Sequence, residues 1–138
     1  MRELQSLIQD LESPKSSIRD RAALDLMDIG DDSAIAPLLR AIFRPENVNH
    51  RGTLVYALSA FNCEDFLETL VDLALTGNFE VSAGACSIIA ESATSAKAVQ
   101  RVHAQLVKFN PNTLSAEHNY IARQELFELT PVESRPAP

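Results

Sequence analysis

The chain of 138 residues contains no tryptophan, two cysteines and four glycines. Cys63 and Cys86 are too few for a disulfide framework, and free cysteines of this kind read as small residues at packed helix faces rather than as a redox pair. No glycine-rich phosphate loop or nucleophile motif is present, and His50, His103 and His118 fall on three different helices without metal-ligand spacing. No catalytic residue, metal or cofactor is therefore assigned, and the chain reads as a non-enzyme. No apolar run approaches the roughly 20 residues of a membrane span. The opening Met1-Arg2-Glu3-Leu4-Gln5 lacks the apolar core of a signal peptide, which points to the cytoplasm.

Positive charge is also scarce. Twelve Lys and Arg stand against 19 Asp and Glu, giving a net charge of −7 and a pI near 4.9. A phosphate backbone needs a Lys/Arg footprint, so nucleic acid is excluded as the partner. No Lys or Arg occurs between Arg51 and Lys97, whereas Glu64, Asp65, Glu68, Asp72, Glu80 and Glu91 all lie there. The resulting negative field attracts a basic protein and speeds its encounter.

What the chain does have is a repeat. Leu7, Leu38, Leu70 and Val102 hold equivalent places, at spacings of 31, 32 and 32. Pro14 returns as Pro45, Ile18-Arg19 as His50-Arg51, and Leu38-Leu39 as Leu70-Val71. Each of the four copies reads as two helices, because apolar residues recur three and four apart. The first helices carry Leu4, Leu7 and Leu11, then Ile35, Leu38, Leu39 and Ile42, then Leu67, Leu70, Val71 and Ala74. The second helices carry Ile18, Ala22, Leu26 and Ile29, then Leu54, Leu58 and Phe61, then Val81, Ala85 and Ile88, with a fourth over about 115–129. Nothing alternates as a strand does.

Punctuation agrees with the division. Ser13 is placed to cap the helix that Pro14 opens, and Ser33 to cap the next, with Pro37 in its first turn where a missing N–H is harmless. Gly30, Gly77 and Asn110-Pro111-Asn112 fall at boundaries.

The run from Ile18-Arg19 through Ala22-Ala23, Leu26, Ile29-Gly30-Asp31 and Ala34-Ile35 to Leu38 resembles a HEAT repeat, of the short kind also found in phycobilisome-lyase-type proteins. The resemblance implies an all-α fold, a right-handed α-solenoid of about four HEAT-like helical pairs over residues 1–129. A disordered, proline-rich tail is expected over 130–138. In such repeats an arginine at the position of Arg19 and Arg51 pairs with acidic groups or carbonyls of the adjoining repeat.

The resemblance also directs attention to the second helices, which line the concave side of a solenoid. Removing their apolar faces leaves Arg21, Asp25, Asp28 and Asp32, then Gly52, Tyr56, Ser59 and Cys63, then Ser87 and Glu91, then Gln124 and Glu128. The partner-binding residues selected from this row are Arg21, Asp25, Asp28, Tyr56, Ser59, Ser87 and Glu91, with Tyr56 as aromatic anchor. The function so implied is binding of a basic protein, without nucleic acid or membrane. Free-standing acidic proteins of this type resemble bacterial immunity proteins that neutralise a cognate toxin. The alternative is a bilin lyase or isomerase subunit of the phycobilisome-lyase type. A HEAT-like alkylpurine DNA glycosylase is disfavoured by the lack of Trp and of a basic groove.

Overall fold

The computed structural model describes residues 3–135. Among them are eight α-helices and no strand: α1 (Leu4–Asp10), α2 (Ser16–Ile29), α3 (Ile35–Ile42), α4 (Gly52–Ala57), α5 (Leu67–Thr76), α6 (Phe79–Ser92), α7 (Ala96–Val107) and α8 (Glu117–Phe127). They form four consecutive pairs, as the period implies. The chain divides into two compact units between Asn62 and Cys63, the first holding α1–α4 and the second α5–α8.

In the first unit α1 packs on α2, α3 on α4, and the two second helices α2 and α4 against each other. In the second unit α5 packs on α6, α7 and α8, and α6 packs on α8. Leu7, Leu38, Leu70 and Val102 are all 0 % exposed, so the repeat frame coincides with the core positions of the first helices. On α2 the buried stripe is Arg19, Ala22, Ala23 and Leu26, while Ile18, expected inside, is 37 % exposed. The face is centred on the Ala22-Ala23 pair, whose small side chains let the neighbouring helices approach, and Ile18 in the first turn falls outside it.

The helix ends depart from the capping expected at serines. α2 starts at Ser16, two residues beyond Pro14, and the Ser13 hydroxyl accepts from the Lys15 N–H at 3.2 Å, closing a turn ahead of the helix. Before α3, Asp31 rather than Ser33 supplies a cap, to the 3-10 turn Asp32–Ala34 that leads into the helix: its Oδ1 accepts from the Ser33 N–H at 2.9 Å, which also holds its carboxyl below the ordinary aspartate value. Asn78 caps α6 through the Val81 N–H, and Ser95 caps α7 through the Ala98 N–H. Gly30 ends α2 in the left-handed region at φ 70°, which a side chain would strain.

Gly77 is required for a different reason. Its backbone is extended, but a Cβ there would overlap the Val81 side chain and stand 2.7 Å from the Leu73 carbonyl oxygen. Gly77→Ala should therefore destabilise the second unit by about 1–3 kcal/mol. Urea unfolding that matches the parent would show that the α5–α6 junction can open without penalty.

Buried polar side chains satisfy carbonyls in the last turn of first helices or in the loop just after it. In the first unit Arg19 Nη1 donates to the Ser13 carbonyl at 2.9 Å, and Asn47 Nδ2 to the Ala41 carbonyl at 2.8 Å. In the second, Ser82 Oγ donates to the Ala74 carbonyl at 2.6 Å, and Asn119 Nδ2 donates to the carbonyls of Ala74 and Gly77, each at 3.0 Å. Arg19 thus binds the loop of its own repeat, whereas the link to an adjoining repeat comes from Arg44, whose Nη1 donates to the Glu12 carbonyl at 3.3 Å. Arg51 is buried, and burial pulls its guanidinium below the usual arginine value.

The segment expected to be a disordered tail is anchored as far as Arg135. The Val132 N–H donates to the Thr94 carbonyl at 3.0 Å, and Val132–Ser134 forms a 3-10 turn. Arg135 donates to the carbonyls of Thr130, Ala90 and Ala93 at 2.8, 3.0 and 3.1 Å. A guanidinium at the carbonyl end of α6 suits the helix dipole, which is what ties these residues down despite their prolines. Residues 136–138 of the expected tail lie outside the described residues.

Candidate interaction surface

In the first unit the polar residues of α2 are displayed at intervals of four, three and four. Arg21 and Asp28 are exposed, Asp25 is half-buried, and Asp32 continues the row beyond the helix end. On the adjacent α4 the Tyr56 ring is 57 % exposed, a large apolar surface left in solvent, and Ser59 just beyond the helix is half-buried. Gly52 is half-buried. Cys63, which spacing places at the end of this row, is instead 0 % exposed, and burial pushes its thiol up to about 11. It packs in the second unit and offers nothing to a partner.

In the second unit Ser87 and Glu91 are exposed on α6, as are Gln124 on α8 and Glu128 at its end. Between α6 and α8 runs a groove of about 410 Å³ that sequence reasoning missed. Its walls include Phe79, Ala83, Cys86 and Ala90 from α6 and Ile121 and Glu125 from α8. Phe79 is 71 % exposed and meets His118 edge-on, with ring centroids 6.0 Å apart. Cys86 is half-buried, and burial together with the Glu125 carboxylate pushes its thiol up to about 12. Burial thus holds both thiols above the ordinary cysteine value. The available signal was the small-residue stripe Ala83, Ser87 and Ala90 on α6, which leaves room beside a helix and carries no charge.

The carboxylates on the first helices of this unit are engaged internally. Glu68 receives Arg101 Nε at 2.9 Å and Nη2 at 2.6 Å, and Asp72 receives Gln105 Nε2 at 2.8 Å, so both link α5 to α7. The doubly donating guanidinium holds the Glu68 carboxyl down at about 2. A carboxyl with a lowered folded-state value stabilises the fold above its ordinary value of 4.5, and that contribution fades as pH falls towards 2. Both side chains are partly exposed, at 32 % and 41 %, so screening limits the pair to about 1 kcal/mol or less. Glu68→Gln should accordingly lose up to about that amount near pH 7 and converge with the parent near pH 2. A gap in urea midpoint that stays constant over this range would assign the effect to packing instead.

His103 and His118 are likewise tied to backbone, through Nε2 to the Leu126 carbonyl at 3.1 Å and the Gly77 carbonyl at 2.9 Å. No group of three or more His, Cys, Asp or Glu residues able to hold a metal ion is found among the described residues. Nor is any helix among them long and apolar enough to cross a membrane.

Paired helices in a 32-residue register are thus joined to a sequence signature at α2. Residues 4–89 match the profile of HEAT repeats, which is more than half of the chain. The chain belongs to the HEAT-repeat family. HEAT repeats are units of α-solenoids and commonly serve as protein-interaction modules. The match runs from α1 into α6, and the α7–α8 pair beyond it keeps the helical hairpin after the HEAT signature has faded. No curated protein and no solved structure matches the chain.

Proposed function

We propose that this HEAT-repeat chain is a non-catalytic module that binds a basic protein through the outward faces of its second helices. Its role would be that of an immunity protein, masking the basic active site of a toxin in the cytoplasm. The observation that carries the reading is that α2, with exposed Asp28 and half-buried Asp25, packs beside α4, which leaves Tyr56 exposed. Carboxylates supply the long-range field and the aromatic ring supplies contact area, the combination expected of a steered interface with an anchor. Arg21 and Ser59 complete the first-unit surface, and Ser87 and Glu91 extend the binding set on the second unit.

The test separates field from contact. Once the partner has been isolated by affinity capture from the native host, Asp25→Asn, Asp28→Asn and Glu91→Gln are combined in one variant and Tyr56→Ala is made alone. The charge variant should associate about tenfold more slowly at low salt and show a flatter salt dependence. Tyr56→Ala should leave association nearly unchanged and speed dissociation about tenfold or more. Unchanged kinetics in both variants, with helical circular dichroism intact, would move the interface off this face.

A further inference from the structure

We infer that the groove between α6 and α8 receives a basic amphipathic helix of the partner, seating apolar side chains at one end and Lys or Arg at the other. This inference rests on the protein-binding reading above and deepens it: Ser87 of that set lines the groove, and the apolar end of the groove and the helical form of the ligand are added to it.

The two helices run in the same direction along the groove. Phe79 meets His118 near their starts, and Cys86 feels Glu125 seven residues further along each. The groove consequently has two chemically different ends. At the amino ends lie Phe79 and Ile121, 71 % and 49 % exposed, which is more apolar surface than a solvated face requires. At the carboxyl ends lie Glu125 in the wall and the exposed Glu91 and Glu128 just beyond it on the same helical stripes. The helix dipoles add negative potential at that end.

Cations nearby are already engaged. Arg123 lies over the Phe127 ring at 4.8 Å, and Arg135 is spread across the carbonyls of Ala90 and Ala93. α6 itself contains no Lys or Arg, and residues 63–138 hold five Lys and Arg against ten Asp and Glu. The position taken by Arg135 shows the chemistry this end accepts, a guanidinium donating to helix-terminal carbonyls. A helix laid in the groove with apolar residues three and four apart would cover Phe79 and Ile121 and set a cation near Glu125. An acidic or purely polar helix would meet repulsion at one end or leave the other wet.

The absence of tryptophan gives a clean probe, since one Trp on a synthetic peptide reports only its own burial. The ligand is an 18-residue Leu/Lys amphipathic helix with a single Trp on its apolar face. Controls replace every Lys by Glu, or every Leu by Ser. The Leu/Lys peptide should bind with a blue-shifted Trp emission, and each control should bind about tenfold more weakly or not at all. Phe79→Ser and Ile121→Ser, both at exposed positions and verified by circular dichroism, should each weaken it about tenfold and reverse the blue shift. Glu125→Gln should weaken it a few-fold and reduce its salt dependence. Binding that is equally tight for the groove variants, or that is lost in Tyr56→Ala and Asp28→Asn instead, would overturn the groove while leaving the protein-binding reading intact. No binding of the Leu/Lys peptide at low salt would overturn it as well. The reading itself fails only on the kinetics with the captured partner.

Discussion

Truncating Leu38 or Leu70 to alanine should destabilise the protein by about 2–5 kcal/mol in each case, the largest effects expected of single core changes here. Both side chains are 0 % exposed and hold the same place in successive repeats, Leu38 on α3 and Leu70 on α5. Removing three carbons from a buried leucine loses their transfer free energy and leaves a cavity that the surroundings fill only partly. Leu70 should lie at the upper end of the range, because α5 packs on α6, α7 and α8 together and cannot relax toward one neighbour without leaving another. Leu24→Ala, at a position 40 % exposed, supplies the control and should cost far less. Urea unfolding followed by far-ultraviolet circular dichroism measures all three. Losses below about 0.5 kcal/mol at both Leu38 and Leu70 would refute the repeat register itself.

That register was readable in the sequence because it rests on burial, and burial demands apolar residues at a fixed period. The four pairs follow from it. The helix starts were less legible, since a serine before a proline satisfies capping rules at Ser13, yet the chain makes a separate turn there and begins α2 at Ser16. Ile18 was misplaced for a related reason: its periodicity fits the α2 core, but the Ala22-Ala23 pair sets the line of closest approach and turns Ile18 outward.

The candidate surface divides along the same physical line. Exposed residues of α2, α4 and α6 follow from subtracting a buried stripe, so Arg21, Asp28, Tyr56, Ser87 and Glu91 appear in solvent. Cys63 failed that subtraction because α4 ends at Ala57 and the chain turns before reaching it, so helical spacing no longer applies. Of the α6–α8 groove only the small-residue stripe on α6 was legible. The groove itself is a space between two helices from different repeats, and its depth depends on how close α6 and α8 lie, which no single-helix pattern encodes. The roles of Glu68 and Asp72 were hidden likewise, because their partners Arg101 and Gln105 stand 33 residues away on the next first helix.

The polar ladder at the helix ends was the least legible feature, because its donor changes from Arg19 to Asn47 to Ser82 to Asn119 while the function of meeting an orphan carbonyl stays the same. In the second unit the ladder has built-in redundancy, and that gives it a distinctive energetic signature. The Ala74 carbonyl accepts from both Ser82 Oγ and Asn119 Nδ2, and the Gly77 carbonyl accepts from both Asn119 Nδ2 and His118 Nε2. A carbonyl can only accept, so His118 carries a proton on Nε2. Ser82→Ala alone leaves Ala74 with Asn119, and Asn119→Leu, chosen to keep the branched outline, leaves Ala74 with Ser82 and Gly77 with His118. Each single change should therefore cost only about 1 kcal/mol, the net worth of a hydrogen bond whose acceptor remains satisfied. The double variant strands the Ala74 carbonyl among buried side chains and adds the desolvation penalty of an unpaired acceptor, about 1–3 kcal/mol beyond the sum of the singles. The total of about 3–5 kcal/mol would rival a leucine truncation, and the coupling is the diagnostic part. Urea unfolding of the parent, both singles and the double closes the cycle. Strict additivity within about 0.5 kcal/mol would mean that the two donors do not share a carbonyl in solution, and that the end of α5 is satisfied some other way.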